Sequence, residues 1–307
     1  MFPKISGTTQ QYLADLERTQ TQLQQDTTNI SSGIAVQQPA DDPAAISEIL
    51  QTQTAISNNK QIQSNLTNVT TEVNTADLAL QTAVQQLQNA ISFGTTGATS
   101  TTSAATRTTL AQQVADVQNA MVGIAQTTMN GRFIFSGDQD TQAPYKLDPT
   151  QPEGVQQLIT GSSTRTIQSV DGTSFAVALT AQQIFDARNT DGTPASGNVF
   201  AALQSLSTAL TNNDTAGITA AVSSLQSASS YLNGQLAFYG DVENRVQQAT
   251  SLAQKFQTQE VTELGNLRDT DVAATATQLT QLQTQQQASF SVEANLLQMK
   301  NLFSYLA

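Results

Sequence analysis

The chain has 307 residues, a net charge of −12, 38% hydrophobic and only 12% charged side chains, and no histidine or cysteine. Without those two residues the usual zinc sites, thiolate chemistry, disulfides and the commonest catalytic triads are excluded. The twelve basic residues are scattered singly, which disfavours a nucleic-acid partner.

Gln, Thr, Ser and Asn take the place of charge. Such a surface can be buried at contacts at lower cost than ions. No stretch approaches the roughly 20 apolar residues of a membrane span.

Residues 1–33 carry a narrow apolar seam, Ile5, Tyr12, Leu16, Leu23 and Ile30, at helical spacing. No apolar run follows Lys4, so no cleavable signal peptide is expected. Gly33 can cap this helix and Pro39 blocks its continuation. Asp42 followed by Pro43 reads as a helix start, an acceptor at the N-cap and then proline at the first helical position.

From Pro43 a long helix is expected to about Phe93. Ile62, Leu66, Val69, Val73, Ala76, Leu80, Val84, Leu87 and Ile91 form its seam, at coiled-coil spacing. Residues 94–103, GTTGATSTTS, read as a flexible loop. A second helix follows with Leu110, Val114, Val117, Met121 and Ile124 on one face. Asn130-Gly131 marks a tight turn, and residues 132–136 read as a short strand ended by Gly137.

Residues 138–216 differ in kind. They hold Pro144, Pro149, Pro152 and Pro194, with Asp-Gly turns at Asp171 and Asp191. One or two hairpins are expected there, with a short helix at about 198–210. From about Thr219 a long helix resumes through Val222, Leu225, Leu232, Leu236, Tyr239, Val246, Ala253 and Phe256, ending near Gly265. Asp269-Thr270-Asp271 suits the cap of a terminal helix with the seam Leu279, Leu282, Leu296, Met299, Phe303 and Leu306.

The expected fold is mainly α: an elongated nested helical bundle with coiled-coil-like terminal helices, a helical rod domain and an inserted small β-rich domain. Its segments are 1–44 and 269–307 for the terminal domain and connector, 45–137 and 217–268 for the rod, and 138–216 for the insert. Sustained helices of this kind would span about 60–75 Å.

Candidate chemistry is sparse. No Walker motif or GxGxxG fingerprint is present. Asp138-Gln139-Asp140 starts like a calcium loop but lacks the rest of the pattern and reads as a solvated turn. Asp41 and Asp42 are adjacent and would point apart on extended chain, which argues against a paired-carboxylate site. Arg107 and Arg245 read as helix-surface charges. No catalytic residue, cofactor or metal is expected, and the chain is read as not an enzyme. What remains is assembly. The two terminal seams, Ile5 to Ile30 and Leu279 to Leu306, are the expected interface, ordering against each other and against copies of themselves.

Three motifs carry a resemblance. The first is Ser31-Ser32-Gly33 with Pro39-Ala40-Asp41-Asp42-Pro43-Ala44, and the second is Asn130-Gly131-Arg132-Phe133-Ile134-Phe135-Ser136-Gly137. The third is the tail from Asp271 to Leu306, closing Leu302-Phe303-Ser304-Tyr305-Leu306. Together they resemble the bacterial flagellin superfamily over essentially the whole chain. The second motif is similar to the one that separates hook–filament junction proteins from ordinary flagellin. The chain departs from the pattern at Ile34-Ala35-Val36, where basic residues are usual. It departs also at Phe133 for tyrosine, Ser304 for aspartate and Gln113 for glutamate.

This resemblance implies a structural, motility-related protein exported through the flagellar type III apparatus to the extracellular flagellum. The partners it implies are hook-associated protein 1, flagellin, copies of the chain in a ring, and an export chaperone at the C-terminal region. Two alternatives stay open: a short filament-forming flagellin, and a surface binding protein acting through the β module. The second would need an aromatic-rich face, yet 138–216 holds only Tyr145, Phe175, Phe185 and Phe200 as aromatics.

Overall fold

In a computed structural model, the backbone is described for residues 7–303 and side chains for residues 10–295. Seven helices occur among the described residues: α1 (Gly7–Ser32), α2 (Ile46–Ala98), α3 (Ala104–Ala125), α4 (Ala181–Phe185), α5 (Val199–Thr211), α6 (Thr215–Arg268) and α7 (Val272–Phe303). Six short strands form three antiparallel pairs: β1 (Thr128–Met129) with β2 (Arg132–Phe133), β3 (Tyr145–Leu147) with β4 (Val155–Gln157), and β5 (Thr166–Gln168) with β6 (Ser174–Ala176). The chain divides into two compact units, Met1–Asn58 with Gln257–Ala307, and Asn59–Phe256.

In the terminal unit α1 packs against α7. Gly33 ends α1 at a φ of 74°, a conformation that glycine adopts without a steric penalty. Its amide donates back to Asn29 O at 2.8 Å, and its carbonyl accepts from the Thr270 amide at 3.0 Å. Ile34 forms a bridge with Asp269, and the amides of Ala35 and Val36 both reach Arg268 O. The connector after α1 is thereby stitched to the connector before α7.

The two adjacent aspartates have separate tasks. Asp41 Oδ2 accepts from the amides of Gln37 and Gln38 and closes the loop. Asp42 Oδ1 accepts from Ala44 and Ala45, as the cap reading expects. The regular helix begins at Ile46, after a turn that holds Pro43. Asp271 caps α7 in the same way, accepting from Ala273 and Ala274 at 3.0 Å each.

The central unit has one continuous core. Leu66, Val73, Leu80 and Leu87 of α2 meet Val114 and Met121 of α3, Leu203 and Leu206 of α5, and Leu225, Leu232 and Val246 of α6. Ala83 and Ala90 are fully buried while Val84 and Ile91 are only partly so. In the later turns of α2 the buried positions are therefore Ala83 and Ala90, one residue before the expected Val84 and Ile91. The inserted segment joins this core through Phe135, Tyr145, Phe175, Phe185 and Phe200.

Several expectations are corrected. The stretch from Gly94 does not open a loop, because α2 runs on to Ala98. A Cβ at Gly94 would overlap Val222 and Leu206, and one at Gly97 would overlap Leu210. These glycines admit the side chains of α5 and α6 against the α2 backbone. Residues 134–136 leave the strand after Phe133: Ile134 donates to Thr127 O, and the Ala181 amide donates to Phe135 O. Helix α6 starts at Thr215 rather than about Thr219, since Asp214 Oδ1 caps it through the Gly217 amide. It ends at Arg268 rather than near Gly265. Phe256, expected on the seam of α6, is 40% exposed.

Arg107 is no surface charge: it is 5% exposed. Its guanidinium donates to Gly97 O at 2.7 Å, to Thr99 O at 2.9 Å and to Asn213 Oδ1, tying the α2–α3 turn to the α5–α6 turn. Arg245 is exposed and stacks 4.7 Å from the centre of the Phe175 ring.

Candidate assembly interface

The inward face of α1 follows steps of four and three. Tyr12, Leu16, Thr19, Leu23 and Ile30 are half-buried there and Asp26 is buried. On α7 the matching stripe is Thr275, Leu279, Gln286, Ser289 and Glu293, all half-buried, with Leu282 buried. The structure thus brings together Tyr12, Leu16, Leu23, Ile30, Leu279 and Leu282 of the expected interface on the two paired helices. Leu296, Met299 and Phe303 continue α7, but their side chains, like Ile5 and Leu306 altogether, lie outside the described residues.

The pairing is antiparallel. The Tyr12 phenol donates to Ser289 O at 3.1 Å near one end, and Thr270 meets Gly33 at the other. Partial burial, and then the Glu293 carboxylate, push the phenol above its ordinary pKa. Six seam members are absent from the apolar pattern. Thr19, Asp26, Thr275, Gln286, Ser289 and Glu293 are polar, so a search for apolar residues passes over them. A strict continuation of the four–three spacing would have found them.

Outside the stripe α7 presents mainly uncharged polar residues, while α1 also exposes Asp15, Glu17 and Arg18. Thr277, Thr280, Gln281, Thr284 and Gln285 form one open face of α7. Leu13 on α1 and Phe290 and Val292 on α7 stand exposed among such residues.

The second motif builds the junction between the helical core and the insert. Asn130 and Gly131, at φ 52° and 76°, make the two-residue turn between β1 and β2. Phe133 is half-buried, and Arg132 pairs with Asp140 at 2.9 Å. Phe135 is fully buried and meets Phe185 and Tyr239 edge-on, at 6.1 and 6.4 Å between ring centres. The Ser136 hydroxyl donates to Gln142 O at 2.8 Å. Gly137 has a φ of 59°, and a Cβ there would stand 2.6 Å from Ser162 O.

The hairpin β5–β6 is held to the helices by two arginines. Arg165 grips the Glu72 carboxylate of α2 with both terminal nitrogens, and Arg245 of α6 covers Phe175. Within the insert, Asp186 is fully buried and accepts from the Tyr145 phenol at 2.8 Å, from Asn198 at 2.6 Å and from Arg188. Burial, then the Asp186 charge, drives the Tyr145 phenol far above its ordinary value. Every polar atom of this cluster is engaged inside the fold, so it reads as a packing device.

Among the described residues no group of His, Cys, Asp and Glu could hold a metal ion, and no helix is long and apolar enough to cross a membrane.

Comparison with known proteins follows the same division. Residues 6–140 match the model of the bacterial flagellin N-terminal helical region, and residues 215–306 match that of the bacterial flagellin C-terminal helical region. The flagellar hook-associated protein 3 of Escherichia coli is 29% identical over 192 residues, which cover 59% of this chain and 57% of that protein. The match thus spans little more than half the length of that relative. Among solved structures, a flagellar hook-associated protein of Vibrio parahaemolyticus aligns with a TM-score of 0.65 at 18% identity, covering 75% of this chain and all of that one. The flagellar junction protein of Legionella pneumophila aligns with a TM-score of 0.56 at 14% identity, covering 72% and 99%. These two show likeness of fold.

Proposed function

Because the chain belongs to the bacterial flagellin family through both its N-terminal and C-terminal helical regions, we propose that it is a structural component of the hook–filament junction of the flagellum. It sits between hook-associated protein 1 and the flagellin filament as a ring of copies. It reaches that place by type III export, escorted by a chaperone bound at its C-terminal region. The names of the curated relative and of the Legionella structure support the junction over the filament itself.

The observation that carries the mechanism is the α1–α7 pair. The two ends of the chain meet through a narrow, partly polar stripe, and α7 keeps an uncharged polar face outward. Narrow stripes suit helix–helix partners, and neutral polar faces can be covered by neighbours without stranding ions. Tyr12, Leu16, Leu23, Ile30, Leu279 and Leu282, continued by Ile5, Leu296, Met299, Phe303 and Leu306, are the proposed assembly residues. The insert is held to its own helical core by Arg165 and Arg245.

The test is localisation. Gold-labelled antibody against the insert is expected to mark one band at the hook's distal end. Label along the whole filament would instead make the chain a filament flagellin. Label on the cell body without flagella would favour a surface binding protein.

A further inference from the structure

Asp26 stands out in the terminal unit. It occupies the α1 stripe between Leu23 and Ile30, where the four–three spacing puts a helix-contact position. At 7% exposure it is the most buried of the side chains described on α1. Its Oδ2 is buried without a hydrogen-bond partner, and none of the ion pairs among the described residues includes it.

No hydrogen bond from the opposite helix reaches Asp26 Oδ2. The Tyr12–Ser289 and Gly33–Thr270 contacts place Thr275 roughly level with Asp26. The Thr275 hydroxyl already donates to Asp271 O at 2.8 Å and lies 3.0 Å from the Thr270 hydroxyl. The adjacent stripe members, Leu279 and Leu282, carry no polar atoms on their side chains. A carboxylate oxygen closed into the stripe without a hydrogen bond opposes the closing, because it exchanges water for nothing of equal strength.

We propose that Asp26 is a built-in destabiliser of the closed α1–α7 pair. It holds the pair of the free chain close to an open form, in which α1 and α7 can repack against neighbouring copies. The second half of this inference rests on the reading of α1 and α7 as the assembling helices; the first half is a property of the free chain alone. An apolar residue at the same place would fit the stripe and lock the pair shut. Stability would rise, and the freedom to exchange partners would fall.

The experiment compares the full-length wild type, Asp26→Leu and Asp26→Asn as purified monomers under limited proteolysis at neutral pH. The initial rate of cleavage within residues 7–32 is read by mass spectrometry. In the regime where opening is fast, that rate tracks the open population. Asp26→Leu is expected to slow it by about tenfold or more, with Asp26→Asn in between and the Asn59–Phe256 unit surviving equally in all three. Unchanged or faster cleavage in Asp26→Leu would overturn the destabiliser. The same variants are then expressed in cells lacking the wild-type chain. Fewer gold-marked junctions with Asp26→Leu than with wild type are expected. Normal junctions with a protease-resistant Asp26→Leu monomer would overturn the link to assembly. Absence of the junction band with the wild type itself would instead refute the localisation and leave the monomer result standing.

Discussion

Tyr12 donates its phenol to the backbone carbonyl of Ser289 across 277 residues of sequence. The bond joins the start of α1 to the later part of α7, so the register of the terminal pair is set by a side chain at one end and by the Gly33–Thr270 backbone contact at the other. Replacing Tyr12 by Phe keeps the ring and removes the donor. The expected outcome is a less stable pair, since the hydrogen bond to Ser289 O is lost. Amide exchange should quicken in α1 and α7 and stay unchanged in the central unit.

Gly97 tests the close approach of α5 to α2. Gly97→Val places a branched side chain where Leu210 already sits. Overpacking of this kind costs about 1–3 kcal/mol. A lowered thermal midpoint, partly restored by Leu210→Ala in the same chain, is the expected outcome. A midpoint equal to wild type would mean that the last turns of α2 are not packed as described.

How much of this was legible in the sequence depends on how local the cause is. The seam of α2 was readable because its period is written in Leu66, Val73, Leu80 and Leu87, all buried. The Asp42 and Asp271 caps were readable because a cap acts within one turn. Gly94 and Gly97 misled because glycine locally signals a break, while its reason here is Leu206, Leu210 and Val222 arriving from distant helices. Arg107 misled likewise: Asn213, one of its partners, lies 106 residues away. Of the candidate interface, the apolar members were visible and Asp26 was not, since an aspartate on a helix ordinarily signals a solvated face.

The Glu72–Arg165 pair fixes the β5–β6 hairpin. Arg165 keeps a side-chain exposure of 37%, so solvent screens part of the attraction. Glu72→Gln is therefore expected to cost about 1.5 kcal/mol, the low end for hydrogen bonds to charged groups. Fast exchange confined to residues 166–176 would be its signature. Combined loss of Glu72 and Arg245 should free the hairpin while α2, α3 and α6 stay protected.

The turns at Asp171 and Asp191 respond to acid. Each carboxylate accepts from the hydroxyl and the amide of the threonine that follows the glycine, at 2.7 and 3.0 Å in the first and 2.6 and 3.0 Å in the second. These bonds, the hydroxyl foremost, hold both carboxyls below the ordinary 3.8. A depressed folded value means that the turn's stabilisation is present above 3.8 and is lost as pH falls through the lower folded value. Nuclear magnetic resonance should show both carboxyls titrating below 3.8, with the Thr173 and Thr193 amides exposed over the same range. Titration above 3.8 would contradict the role given to the threonines.

The most direct measurement is complementation with Leu282→Asp. Leu282 is the most buried described side chain of α7 and belongs to the terminal unit. A charge there breaks the stripe without touching the central core. Cells lacking the wild-type chain and supplied with this variant are expected to carry hooks without filaments and to shed flagellin into the medium. The purified variant should keep the thermal midpoint of its central unit. Full filaments on such cells would contradict the claim that the paired ends build the junction.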